Sequence, residues 1–98
     1  DVKDTEESRL AHEVENIILN LQETLEDTVK RGRHYVPLIK TRFTPRDDYD
    51  GPEQREDRLR QFSPACGRLL DHLKKQGLNV WCGRGKNSQI YIGVNLPE

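Results

Sequence analysis

Trp81 and Tyr91 fall on two alternating runs near the end of the chain, flanking a segment that carries Arg84 and Lys86. Aromatic faces stack unpaired bases while nearby cations hold phosphates, which is how single-stranded nucleic acid is commonly gripped. Aligning the aliphatic sides of the two runs sets Trp81 opposite Tyr91, Cys82 opposite Ile90 and Asn79 opposite Gly93. The same pair also has a purely structural use. A cross-strand aromatic contact stabilises a hairpin by roughly 0.2–1 kcal/mol, and a helix laid over that face would close it to any ligand. Further positive charge comes from Lys30, Arg31, Arg33, Lys40, Arg42 and Arg46, and later from Arg68, Lys74 and Lys75. Gathered beside the hairpin turn, the first group would form a patch able to displace counterions from phosphates. Against this stands a solvated face whose arginines pair with Glu53, Glu56 and Asp57 at helical spacings.

Other chemistries fit less well. Asp47, Asp48, Asp50 and Gly51 suggest a calcium loop, but setting Gly51 at the sixth position puts Arg46 at the first, where a carboxylate is required. An Asx-rich turn is the expectation. Cys66 and Cys82 lack the close pairing of structural zinc sites, and His72 lies six residues beyond Cys66, on another side of a helix. Both thiols are expected to be free and buried. Gly83-Arg84-Gly85 with Lys86 is too short for a phosphate loop and opens a strand rather than a helix. No serine or cysteine sits in a recognised nucleophile elbow, and His12, His34 and His72 are scattered. The expectation is a binding domain, not an enzyme, with no metal and no cofactor.

These residues must be positioned by a few elements. Leu10, Val14, Ile17, Ile18, Leu21, Leu25 and Val29 recur at spacings of three and four, predicting a helix over about 8–31 that ends at Gly32. Residues 1–7 read as a polar lead-in able to cap it, with Asp4 or Thr5 as acceptors. The β-rich run 34–43 contains Pro37, which cannot donate to a ladder, so an edge strand is expected there. Residues 44–52 form a loop, and the charge-rich stretch 52–61, with Leu59 its one apolar residue, predicts a short solvated helix. Ser63-Pro64 marks a helix start, with Cys66, Leu69, Leu70 and Leu73 as the buried stripe of a helix over about 64–76. Gly67 within it implies a close backbone neighbour. Two alternating runs, about 78–83 and 89–95, predict a β-hairpin with Val80, Cys82, Ile90 and Ile92 inward.

The chain is therefore expected to be one α+β domain of order α-β-(α)-α-β-β, its two main helices packed on a small antiparallel sheet. This order resembles that of winged-helix domains, a likeness of element order only. The 98 residues suit a single modest core. Apolar and charged fractions are nearly equal, at 33% and 34%, and the periodicity of the apolar residues separates the chain from disordered sequences. No apolar run reaches bilayer length, so no membrane partner is expected. Two unpaired cysteines point to a reducing intracellular compartment, cytoplasmic or nuclear. The net charge of −1 conceals two poles: residues 1–29 hold nine acids and two bases, residues 30–98 fourteen bases and eight acids.

The favoured partner is nucleic acid, RNA or DNA, held by Trp81, Tyr91, Arg84, Lys86, Arg31, Arg33, Lys40 and Arg42. The alternative is a protein partner or a homodimer built on the first helix. Its apolar spacing is near-heptad through Leu10, Val14, Leu21 and Leu25, and Leu19 lies off the main stripe.

Overall fold

A computed structural model describes residues 2–45 and 49–97, with side chains from Thr5 onward. Arg46, Asp47 and Asp48, and with them most of the acidic loop, lie outside the described residues, as does the side chain of Asp4.

The first helix, α1, spans Val2–Lys30 and ends at Gly32, whose φ of +72° is a left-handed conformation that suits glycine. It buries Leu10, Val14 and Leu21 and half-buries Ile17, Ile18 and Leu25. It starts six residues ahead of the expected point because two acids of the supposed lead-in have distant partners. Glu6, only 3% exposed, receives Arg9 and Arg42. Glu7 accepts from the Ala65 amide at 2.9 Å, satisfying an orphan donor at the start of another helix, where a negative charge also suits the dipole. Val29, expected inside, is 62% exposed. The inward stripe runs 10, 14, 17, 21 and on to Thr28, whose hydroxyl bonds the Thr24 carbonyl at 2.8 Å, so Val29 turns a further 100° outward.

Strand β1, Tyr35–Lys40, lies at one edge of a three-stranded antiparallel sheet, as Pro37 requires. An irregularity between Pro37 and Ile39 shifts its register against the central strand and aims Ile39 at the core. Helix α2 covers Pro52–Phe62, with Pro52 in its first turn and the Gln54 side chain accepting from the Gly51 amide at 2.9 Å. It buries Leu59, as well as one residue the charge-rich sequence conceals: Arg55. Ser63 closes α2 and opens α3, Pro64–Lys75; its amide donates to Leu59 and its Oγ accepts from the Cys66 amide at 3.1 Å. Cys66, Leu69, Leu70 and Leu73 are fully buried on α3.

The hairpin joins β2, Asn79–Arg84, to the central strand β3, Ile90–Asn95, giving the sheet order β1-β3-β2. The element order is the expected α-β-α-α-β-β. Cys82, Ile90, Ile92, Val94 and Ile39 face the helices and complete the core, and Val80 is half-buried against it. The cross-strand register differs by two residues from the sequence expectation. Trp81 pairs with Gly93, Gly83 with Tyr91, Cys82 with Ile92, and Asn79 with Asn95. The connection, residues 85–89, is as long as expected but falls one residue later, with Asn87 and Ser88 both at φ of 59°. A slip of two leaves the inward set unchanged, because side chains alternate with period two.

Candidate nucleic-acid interface

All three helices contribute to one core on the inner side of the sheet; Tyr35, Trp81 and Tyr91 take no part in that core. Alternation puts them on the outer side, together with Lys40, which pairs with Tyr91, and Asn95, which pairs with both Tyr35 and Asn79. The first helix therefore does not cover this face, and Trp81 is 40% exposed. Trp81 and Tyr91 are diagonal neighbours, about 7–8 Å apart in such a ladder, rather than directly opposed. Each lies across from a glycine. A Cβ at Gly83 would strike the Tyr91 ring, and one at Gly93 would strike Tyr35. The missing side chains let the hydroxyl ends of both tyrosines close over the backbone at Gly83 and Gly93, which is why glycine occurs in the middle of two strands.

Tyr35 and Tyr91 meet edge to face, with centroids 6.5 Å apart and planes at 75°. The Tyr35 hydroxyl is buried with no hydrogen-bond partner among the described residues. Burial, and secondarily the neighbouring Tyr91 hydroxyl, raises its pKa above the ordinary 10. Tyr35 thus presents an uncharged ring at neutral pH.

Two shallow cavities share this tyrosine pair as a wall. One, of about 480 Å³, is lined by Tyr35, Lys40, Arg84, Lys86, Gln89 and Tyr91 among others. The other, of about 340 Å³, is lined by Tyr35, Trp81, Tyr91 and Asn95. Both fall within the range of ligand-sized sites. The first is cationic. Arg84 is oriented by a 2.8 Å hydrogen bond from its Nη2 to Ser88 Oγ, while Lys40 and Lys86 form no ion pair among the described residues. The second is aromatic and neutral. Neither lining contains a carboxylate, thiol or imidazole.

The structure thus brings together five of the eight expected binding residues: Trp81, Tyr91, Arg84, Lys86 and Lys40. It leaves out three. Arg31 pairs with Asp27 at 3.1 Å within α1. Arg42 turns to Glu6 at 3.4 Å, away from the rings. Arg33 precedes β1 and lines neither cavity. Tyr35 is the residue the sequence reading missed. Its only local signal was membership of a β-rich run, and its place here depends on the pairing of β1 with a strand more than 50 residues further along the chain.

Several cations elsewhere are held in ion pairs. On α3, Arg68 pairs with Glu15 and Lys74 with Glu56, while Asp71 receives Arg60 at 2.7 Å. The residues expected to serve a protein partner on α1 are also divided. Leu10, Val14 and Leu21 are buried in this chain's own core and Leu25 is half-buried against it, because the near-heptad stripe is the inward face. Leu19 alone of that set is open, 78% exposed. Among the described residues no group of three or more His, Cys, Asp or Glu is placed to hold a metal ion, and no helix is long and apolar enough to cross a membrane. No protein-family model, curated protein or solved structure matches the chain.

Proposed function

We propose that this domain is a non-enzymatic module that binds nucleic acid, RNA or DNA, through the open face of its sheet and the adjoining hairpin turn. One observation carries the reading: a helix-free sheet face where Trp81, Tyr35 and Tyr91 adjoin a cavity ringed by Lys40, Arg84 and Lys86. Rings offer stacking surfaces and the cations offer phosphate contacts, the two components of sequence-tolerant binding. Arg68 and Lys74 of α3 are engaged by Glu15 and Glu56, which speaks against that helix as the element that enters a groove. A reducing, intracellular compartment is in keeping with two buried, unpaired thiols.

A salt titration of binding to labelled oligonucleotides tests the proposal. Replacing Arg84 and Lys86 with Ala weakens binding and shrinks the logarithmic salt slope by about 0.7 for each phosphate no longer neutralised on a single strand. Trp81→Ala costs roughly 1–3 kcal/mol with little change in slope, since stacking releases no counterions. Negligible affinity at low salt for every nucleic acid tried overturns the proposal. The second reading, protein association through α1, is favoured by the exposure of Leu19 and Val29 on one long helix, and it becomes the leading account in that event.

A further inference from the structure

The arrangement of rings and cations also discriminates among forms of nucleic acid, provided that this face is a nucleic-acid site as proposed above. We infer that the ligand is a single strand seated across the two adjoining cavities, its phosphates at Lys40, Arg84 and Lys86 and its unstacked bases on Trp81 and the Tyr35/Tyr91 pair.

The sheet is three strands wide, so the platform from β1 to β2 measures about 10 Å across. That width takes one strand, not two. The three cations line one cavity, and the other is walled by rings and Asn95. A duplex displays phosphates outward and keeps its base faces stacked, so it could engage the cationic end but would leave the aromatic end unused. The rings define the length of the footprint. Tyr35 and Tyr91 stand at 75° to each other, so the pair offers one ring face while the other ring is edge-on. Trp81 offers a second face, a diagonal step of about 7–8 Å away. Two stacking faces beside one phosphate cluster make a footprint of two to three nucleotides.

The test compares, at one low salt concentration, labelled single strands of two, three, six and twelve nucleotides. A blunt duplex of the same sequence and an abasic strand of equal charge complete the set. Affinity rises from two to three nucleotides and beyond that increases only by the number of registers a longer strand offers. The duplex and the abasic strand, each deprived of two stacks, bind at least about tenfold more weakly than the single strand. A duplex that binds as tightly as the single strand, or affinity that keeps climbing steeply beyond three nucleotides, overturns this inference while leaving nucleic-acid binding in place. Absence of binding to any member of the set overturns both.

Discussion

Arg55 anchors the platform from beneath, and its removal has a calculable cost. Only 8% exposed, it donates from Nε to the Cys82 carbonyl at 2.7 Å and from Nη1 to the Asp50 carbonyl at 2.6 Å. It thereby fastens α2 and the loop before it to β2, an edge strand, and occupies a carbonyl that an unprotected edge would offer to another chain. Arg55→Met keeps most of the side-chain volume and deletes both donors. A hydrogen bond from a charged donor contributes about 1.5–3 kcal/mol, and an acceptor left unpaired in the interior costs a comparable amount. The half-exposed Asp50 regains water, so the second bond counts for less. The expected loss is about 2–3 kcal/mol, a substantial part of the 5–15 kcal/mol typical of a domain. For a chain of this size that lowers Tm by roughly 10–20 °C. Urea unfolding followed by far-UV circular dichroism is the assay, with a lower midpoint and an unchanged slope as the result. Arg31→Met, which breaks an exposed pair with Asp27, serves as the control and shifts stability by less than about 1 kcal/mol. An Arg55→Met protein as stable as that control would refute the reasoning.

Ser63→Ala removes the cap of α3 at a fully buried position and is expected to cost about 1 kcal/mol in the same assay. Stability falls as pH rises above about 9, because burial pushes Cys66 up to about 11 and Cys82 up to about 12 from an ordinary 9. The unfolded thiols ionise first, so the unfolded state gains over the folded one through that window. Denaturation midpoints measured from pH 8 upward check this, and a flat profile contradicts it. Leu19→Glu leaves folding stability within about 0.5 kcal/mol of wild type, since the side chain is exposed. Sedimentation of both proteins checks the rival reading, which requires a wild-type dimer that the substitution dissociates.

Local signals carried most of the architecture. Periodicity of three and four located α1, Ser63-Pro64 located α3, Pro37 identified β1 as an edge, and strict alternation assigned the faces of β2 and β3. What alternation could not supply was the cross-strand partner, because every slip by two residues preserves the faces. The connection falls at residues 85–89, with Asn87 and Ser88 at positive φ, one residue later than the alternation alone implied. The site was legible to the same degree. Trp81, Tyr91, Arg84 and Lys86 share one hairpin and could be grouped from sequence, whereas Tyr35 and Lys40 join them only through the pairing of β1 with β3. Glu6 and Glu7 lay in a stretch that reads as a polar lead-in, and Arg55 in one that reads as a solvated helix, because their partners Arg42, Ala65 and Cys82 lie 27 to 58 residues away. Charged residues whose partners are local, such as Arg31 with Asp27, behave as the helical spacing implies.

The central claim is that the outer face of the sheet holds nucleic acid, and amide chemical-shift mapping during titration with a short single-stranded oligonucleotide addresses it most directly. Binding on this face shifts the amides of Tyr35, Lys40, Trp81, Arg84, Lys86 and Tyr91, together with the Trp81 indole N–H, and leaves the middle of α1 and the exposed side of α3 unmoved. Shifts centred on Leu19 or on Arg68, Lys74 and Lys75, with the sheet face unchanged, would contradict it.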